Sequence, residues 1–212
     1  LSDTINLMKI SKTLDFDKFL IMPPAYYKYG DDEAIKFYSK IAEAIPESQI
    51  ILYNFEKLCG YKFSVESVEN LAARFPKNII GVKDSSYNLM GNLNIKNFSI
   101  LPGSELKLLN GLKKDCSGII TATCNVTAKL ARKVFDDFEQ NKEQTVNDKL
   151  CEVRKAFDQF NLISGLHSFL SLTDKQFLNI LPTCSLLNEK DEKILIDKLK
   201  DLDFLKKDFK AA

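Results

Sequence analysis

The chain has 212 residues, 45% of them hydrophobic and 28% charged, which is enough apolar material for one sizeable core. Its 30 Lys and Arg residues nearly balance its 29 Asp and Glu residues, and this net charge of +1 favours neither nucleic acid nor an anionic membrane as partner. No apolar run reaches the roughly 20 residues that span a bilayer. The five cysteines form no Cys-x-x-Cys pair, which favours a reducing, cytoplasmic setting.

Short apolar segments alternate with amphipathic ones through the first 123 residues. The apolar segments are too short for helices and are bounded by turn residues, so we predict strands at 18–24, 48–54, 78–84, 98–103 and 117–123. The amphipathic segments predict helices at 3–14, 31–45, 64–75 and 104–114, with Asp31 and Ser64 as the expected N-caps of the second and third. Strands that alternate with helices and are continuously apolar are typical of a parallel sheet covered by helices.

After Thr123 the alternation stops and only helical patterns follow, at 126–140, 149–163, 174–182 and 189–210. In the last of these the charges alternate in sign, which predicts a solvated amphipathic helix rather than a membrane or nucleic-acid surface. His167 is the only histidine, and no second ligand at metal-binding spacing accompanies it, so no metal site is predicted.

Parallel α/β folds carry their chemistry where the carboxyl ends of the strands meet. Tyr53 lies at the end of one predicted strand and Lys83 at the end of the next, 30 residues later. Because neighbouring strands are about 4.8 Å apart, the phenol and the amine are expected to converge. Two interpretations remain open from these residues alone. Lys83 is either a nucleophile beside a proton-carrying tyrosine or a strand-end lysine that extends its ammonium to water.

The segments around these residues carry a family resemblance. "ILYNFEKLCG" is followed by "IIGVKDSS", "LPGSE" and "SGIITATCNV", and over about residues 15 to 140 this resembles the family of dihydrodipicolinate synthase and N-acetylneuraminate lyase. The resemblance implies an α/β fold, a (β/α)8 TIM barrel with a C-terminal helical extension, whose lysine forms a Schiff base with pyruvate. It makes Lys83 the imine-forming lysine and Tyr53 the residue that shuttles protons.

The same resemblance supplies further candidate residues. Tyr26 matches the aromatic that approaches a neighbouring subunit's site in tetrameric members, and Gly103 and Ile120 match positions that line the pyruvate pocket. Ser85 follows Lys83 by two residues, where its hydroxyl could meet a substrate carboxylate or hydroxyl. Leu58 stands where synthases acting on aspartate semialdehyde carry a carboxylate-binding arginine, a contact that leucine cannot make. Leu58 therefore favours the sugar-acid lyases and 2-keto acid aldolases.

The chain also departs from the family pattern. In the motif Y-N-x-P-x-x-[ST]-G, Glu56 replaces the proline and Cys59 replaces the hydroxyl residue. The first three strand–helix units of the family, with their Gly-Thr-Thr-Gly-Glu-like turn, have no match. The predicted strands would be barrel strands four to eight, giving a partial barrel over 1–140 and a helical extension over 141–212. Because such a set cannot close a barrel of about eight strands, we expect a longer protein or association with other chains.

These features predict a pyruvate-linked class I aldolase or lyase that cleaves or forms a 4-hydroxy-2-keto acid, without metal or organic cofactor, as a homo-oligomer (tetramer or dimer by resemblance). One alternative is a dihydrodipicolinate synthase with an atypical carboxylate site. Another is a catalytically silent barrel relative that serves as a sensor or scaffold, which would suit the altered motif at Glu56 and Cys59.

Overall fold

The computed structural model describes residues 1–205. These residues divide into two compact units, one formed by 1–103 with 113–119, the other by 104–112 with the residues from 120 onward. The boundary predicted at residue 140 falls inside the second unit and stays a prediction.

The first unit alternates helices and strands as the sequence predicts. Its elements in chain order are α1 (Ser2–Lys12), β1 (Lys18–Ile21), α2 (Asp31–Ala44), β2 (Gln49–Asn54), α3 (Glu56–Cys59), α4 (Val65–Arg74), β3 (Ile79–Asp84) and β4 (Ser99–Pro102). The strands form a parallel sheet in the order β1-β2-β3-β4. Strand order therefore follows chain order.

The register of this sheet sets the position of the candidate site. Tyr53 of β2 lies opposite Lys83 of β3, and Asn54 lies opposite Asp84. On the other side of β3, Lys83 lies opposite Leu101 of β4. At Gly81 the strands approach so closely that a β-carbon would lie 2.6 Å from Ser99 O, so only glycine fits there.

The prediction of a fifth strand at 117–123 is wrong, because residues 1–205 contain the four strands just named and no strand in that segment. Ser117 N donates to Ile100 O at 3.0 Å, as the first rung of a ladder would. The next residue, Gly118, has φ +139°, which is outside the extended conformation of a strand. The chain therefore leaves the sheet after one bond.

Local capping explains where the helices begin. Ser64 accepts a hydrogen bond from Ser67 N at 3.0 Å and so caps α4, as predicted. At α2 the cap is Gly30 rather than the predicted Asp31, and Glu33 Oε2 accepts from Gly30 N at 2.9 Å. Asp31 and Glu33 then lie in the first turn, where negative charge is favourable.

The core of the first unit lies between the sheet and α2 and α4. Tyr38 and Ile41 of α2, Leu71 of α4, and Ile50 and Leu52 of β2 are fully buried. Each such side chain contributes about 1.5 to 3 kcal/mol through removal from water. The strands that carry Tyr53 and Lys83 are thus fixed by packing on their buried face.

The second unit is helical. A 3-10 turn (Glu105–Lys107) precedes α5 (Leu108–Leu112), and α6 (Cys124–Glu139), α7 (Asn147–Phe157), α8 (Leu162–Leu170) and α9 (Glu189–Asp201) follow. The helix predicted at 174–182 is only a short 3-10 turn, Lys175–Leu178. The end of the predicted helix 189–210, from residue 206, lies outside the described residues. Within residues 1–205, no helix has the length and apolar content needed to cross a membrane.

Candidate functional site

Tyr53 and Lys83 meet at the carboxyl ends of β2 and β3. They are register partners, and Lys83 Nζ lies over the Tyr53 ring, 4.0 Å from the ring centroid. Both side chains are half-buried. An ammonium over an aromatic face is attracted by the ring quadrupole, so the tyrosine both orients the lysine and places a hydroxyl on the same side of the sheet.

Ser85 and Gly103 pack together in the first unit, beside this pair. Ser85 N donates to Asn54 O at 2.9 Å, which continues the β2–β3 ladder one residue beyond Asp84, the end of β3. A β-carbon built on Gly103 would lie 3.0 Å from Ser85 Cβ and 3.3 Å from Ser85 Cα, and would also meet Ser85 Oγ. A residue with a β-carbon at position 103 would displace Ser85, so glycine is needed there.

A buried polar network that the sequence did not predict lies directly behind the pair. Asn54 and Asp84 follow Tyr53 and Lys83 in the chain and are fully buried. Asn54 Nδ2 donates to Asp84 Oδ1 at 2.8 Å, and Asp84 Oδ2 accepts from the backbone N–H groups of Leu89 and Met90, each at 2.9 Å. The network joins the two strand ends to the loop after β3.

The positions that depart from the family motif have clear local roles. Glu56 forms an ion pair with Lys62 at 3.3 Å, and its backbone N donates to Ser86 Oγ at 3.0 Å. Cys59 is buried, and its thiol lies 3.2 Å from Tyr61 O, as a donor to that carbonyl. These contacts hold the turn after β2 without the family's proline and hydroxyl residue.

Tyr26 and Leu58 are turned to solvent in this chain. Tyr26 is 91% exposed and has φ +87°, an uncommon conformation for a non-glycine residue. Its ring packs edge-on against Tyr27 with 4.9 Å between centroids. Leu58 lies on α3 and is 56% exposed.

Ile120 belongs to the second unit and is half-buried there. Thr121 and Thr123 of the same segment belong to a cluster around Glu105 in this unit. Glu105 is fully buried and accepts from Thr121 Oγ1 and Thr123 Oγ1, each at 3.0 Å, and from Arg154 Nη1 at 2.8 Å. A buried carboxylate requires a positively charged or hydrogen-bonding partner of this kind. The sequence does not identify Arg154 as that partner, because it lies 49 residues from Glu105.

Cys116 is the buried thiol near Asp84 in the first unit. Burial raises the pKa of Cys116 from 9.0 to about 11, and the negative charge of Asp84 contributes in the same direction. The thiol is thus held in its neutral form at physiological pH and acts as a small apolar side chain.

Comparisons with known proteins agree on one family. The family model described as "Dihydrodipicolinate synthetase family" matches residues 1–199. An uncharacterized DapA-like lyase from Chloroflexus aurantiacus is 29% identical over 82% of this chain and 60% of its own length. A 2-dehydro-3-deoxy-D-gluconate/2-dehydro-3-deoxy-phosphogluconate aldolase from Picrophilus torridus is 25% identical over 69% of this chain and 55% of its own length. The chain thus spans little more than half the length of these curated relatives.

A solved structure shares the fold. It is a prophage protein of the dihydrodipicolinic acid synthase family from E. coli K12, in complex with pyruvate, at 20% identity and a TM-score of 0.80, covering 96% of this chain and 72% of that one. The fold likeness agrees with the parallel sheet and its flanking helices. On the family match over residues 1–199, the chain belongs to the dihydrodipicolinate synthetase family.

Proposed function

We propose that this chain carries the Schiff-base lysine of a pyruvate-linked aldolase or lyase, which cleaves or forms a 4-hydroxy-2-keto acid. The observation that carries the proposal is the position of Lys83 Nζ, 4.0 Å from the centroid of the Tyr53 ring on the neighbouring strand. An amine nucleophile and a phenolic proton carrier are the two groups that this reaction needs. The names of the relatives, a lyase and an aldolase, support the same class of chemistry.

In the proposed reaction, the unprotonated amine of Lys83 attacks the C2 carbonyl of the 2-keto acid. The resulting carbinolamine takes up one proton from solvent and loses one water to give a protonated imine, and the final hydrolysis returns that proton. In cleavage, the Tyr53 oxygen takes the proton of the C4 hydroxyl, the C3–C4 bond breaks, and its electron pair moves into the imine as an enamine. The aldehyde leaves, the enamine is protonated at C3, and water hydrolyses the imine to release pyruvate and free Lys83.

Ser85 and Gly103 are proposed to bind the 2-keto acid. The Ser85 hydroxyl lies two residues beyond Lys83, and its backbone is fixed by the hydrogen bond to Asn54 O. Gly103 leaves room for this serine. Ile120 is proposed to line the pyruvate pocket, and Tyr26 to approach the site of a neighbouring subunit in a homo-oligomer, as in the family members that the sequence resembles.

Leu58 supports an aldolase over a synthase acting on aspartate semialdehyde. Its exposed side chain offers no hydrogen-bond donor to a second carboxylate. A charge-assisted bond to a carboxylate is worth about 1.5 to 3 kcal/mol, which is a factor of about 10 to 100 in affinity. We therefore propose a substrate whose aldehyde half has hydroxyl groups in place of that carboxylate.

The sheet is proposed to be part of a (β/α)8 barrel. Within the described residues β1 pairs only with β2, and Leu20 and Met22 at this edge are 42% and 36% exposed. An open, apolar strand edge is a site for further pairing. Additional strand–helix units at this edge would cover it and close the barrel, and the activity is proposed for that complete assembly.

A comparison of two reactions tests the proposal. The natural protein is expected to release pyruvate from 2-keto-3-deoxygluconate with a higher kcat/KM than it shows for condensing pyruvate with aspartate semialdehyde. Lys83→Arg is expected to abolish both activities, because a guanidinium keeps its charge but cannot be deprotonated to attack a carbonyl. Full activity of Lys83→Arg would refute the proposed mechanism, and faster condensation would refute the proposed substrate class.

A further inference from the structure

The buried pair Asn54–Asp84 lies one residue beyond Tyr53 and Lys83 on the same two strands. Successive side chains of a strand point to opposite faces of the sheet. Accordingly, Tyr53 and Lys83 are half-buried, whereas Asn54 and Asp84 are fully buried. The pair therefore lies behind the reacting side chains and does not share their face.

We propose that the Asn54–Asp84 pair is the positioning element that holds Lys83 and Tyr53 in their reacting geometry. The proposal rests on the proposed function, since it assigns these residues a part in imine formation. It does not make either residue catalytic, because both act through the strand ends that carry the reacting groups.

The hydrogen bonds explain why these residue types are needed. Asn54 uses both ends of its amide, because Oδ1 accepts from Phe63 N at 3.1 Å while Nδ2 donates to Asp84 Oδ1 and to Asn88 Oδ1, each at 2.8 Å. Asp84 uses its other oxygen for the N–H groups of Leu89 and Met90. An amide can both donate and accept, whereas a carboxylate only accepts. Asn54→Asp alone therefore sets two carboxylates against each other, and Asp84→Asn alone either keeps the bond from Asn54 and turns an NH2 group toward the N–H groups of Leu89 and Met90, or does the reverse.

The network also fixes the loops at both strand ends. Asn88 Nδ2 donates to Phe63 O at 2.8 Å, so the loop after β3 is joined to the segment after α3. Glu56 N donates to Ser86 Oγ, and Ser85 N donates to Asn54 O. Because the side chains of Asn54 and Asp84 also hold these loops, through Phe63, Asn88, Leu89 and Met90, a change in the pair is expected to move the strand ends against each other.

A similar link at the opposite end of the sheet provides a matched control. Asn78 precedes β3, is buried, and donates from Nδ2 to Pro46 O at 2.8 Å and to Ser48 O at 2.9 Å. It joins the beginnings of β2 and β3 as Asn54 joins their ends. Asn78→Asp should therefore cost stability without disturbing Lys83 or Tyr53.

The test measures the rate at which the natural protein forms a pyruvate imine, trapped with borohydride and counted by mass spectrometry. The variants are Asn54→Asp, Asp84→Asn, the exchange Asn54→Asp/Asp84→Asn, and Asn78→Asp, each assayed at a temperature at which circular dichroism shows a fully folded sample. Asn54→Asp and Asp84→Asn are expected to slow trapping about 10- to 100-fold, the range for misplacement of a reacting group by about 1 Å.

The exchange variant is expected to recover up to about tenfold over the slower single variant, because an amide again faces a carboxylate across the strands and only the bond to Asn88 Oδ1 is not restored. Asn78→Asp is expected to lower Tm while trapping at the wild-type rate. If Asn54→Asp does not fold, Asp84→Asn and the exchange variant carry the same comparison.

Two outcomes would overturn the inference, and they are distinguishable. If the folded single variants trap pyruvate at the wild-type rate, or if Asn78→Asp slows trapping as much as they do, the Asn54–Asp84 pair is only a stabilising contact. The Schiff-base mechanism would still stand. Absence of any adduct in the wild-type protein would refute the proposed function, and the positioning role would fall with it.

Discussion

Tyr53→Phe separates the two roles that the structure gives to Tyr53. The substitution keeps the aromatic ring, whose centroid lies 4.0 Å from Lys83 Nζ, and removes only the hydroxyl group. Because the ring quadrupole of phenylalanine also attracts an ammonium group, Lys83 should keep its position. Imine formation should therefore persist while the proton transfer that follows is lost.

The magnitude follows from the proton transfer alone. A positioned general acid–base group is typically worth a factor of 10² to 10⁴, which is about 2.7 to 5.4 kcal/mol of activation free energy. We expect kcat for aldol cleavage to fall within this range. The rate of borohydride trapping with pyruvate should change by less than about threefold, since the loss falls on the later step.

The assay combines coupled detection of released pyruvate with mass spectrometry of the trapped adduct. Tyr27→Phe is the control, because Tyr27 is an exposed tyrosine that is not part of the Tyr53–Lys83 pair. This substitution should leave the cleavage rate and the trapping rate unchanged. If Tyr53→Phe retained wild-type kcat, Tyr53 would be only an aromatic that orients Lys83. If it abolished trapping as well, the hydroxyl would be needed before the imine forms.

Three further predictions follow from the site. Leu58→Arg should raise kcat/KM for aspartate semialdehyde condensation about tenfold, because it adds a charge-assisted donor; an unchanged value in steady-state assays would argue against Leu58 as a specificity position. Gly103→Ala should lower the free energy of unfolding in urea by about 1 to 3 kcal/mol through overpacking against Ser85. The double variant Gly103→Ala/Ser85→Gly should restore it, and failure to restore it would show that the strain does not come from Ser85. Burial raises the pKa of the Cys116 thiol from its ordinary value of 9.0 to about 11, so the unfolded chain loses the thiol proton at lower pH than the folded protein does. The stability that this shift contributes is therefore complete below pH 9 and is lost as pH rises to 11. Urea titrations between pH 8 and 11 should show this loss and a flatter profile for Cys116→Val, and an equal slope in both proteins would contradict the assignment.

The parts of the fold that depend on local pattern could be predicted from the sequence. The apolar runs that end in Tyr53 and Lys83 form β2 and β3, and the two residues are register partners. The segment 117–123 shows the limit of the same reasoning. It is as apolar as a strand, but Gly118 at φ +139° ends the ladder, and a short apolar run does not reveal backbone conformation.

The polar networks could not be predicted because their partners are far apart in the chain. Asn54 and Asp84 look like ordinary turn residues after a strand, and their link depends on strands 30 residues apart reaching the same register. Arg154 and Glu105 are separated by 49 residues and meet only in the folded second unit. By contrast, the family resemblance predicts a role for Gly103, and the close approach of Ser85 supplies a physical reason for the glycine.

Reductive trapping tests the central claim, that Lys83 is a nucleophile. The natural protein is incubated with pyruvate and borohydride, digested, and analysed by mass spectrometry. We expect the mass of a reduced pyruvate on the peptide that contains "NIIGVKDSS", at Lys83, and no label in Lys83→Ala or Lys83→Arg. A wild-type protein without adduct, or a label that persists in Lys83→Arg, would contradict the account and leave Lys83 as a strand-end lysine.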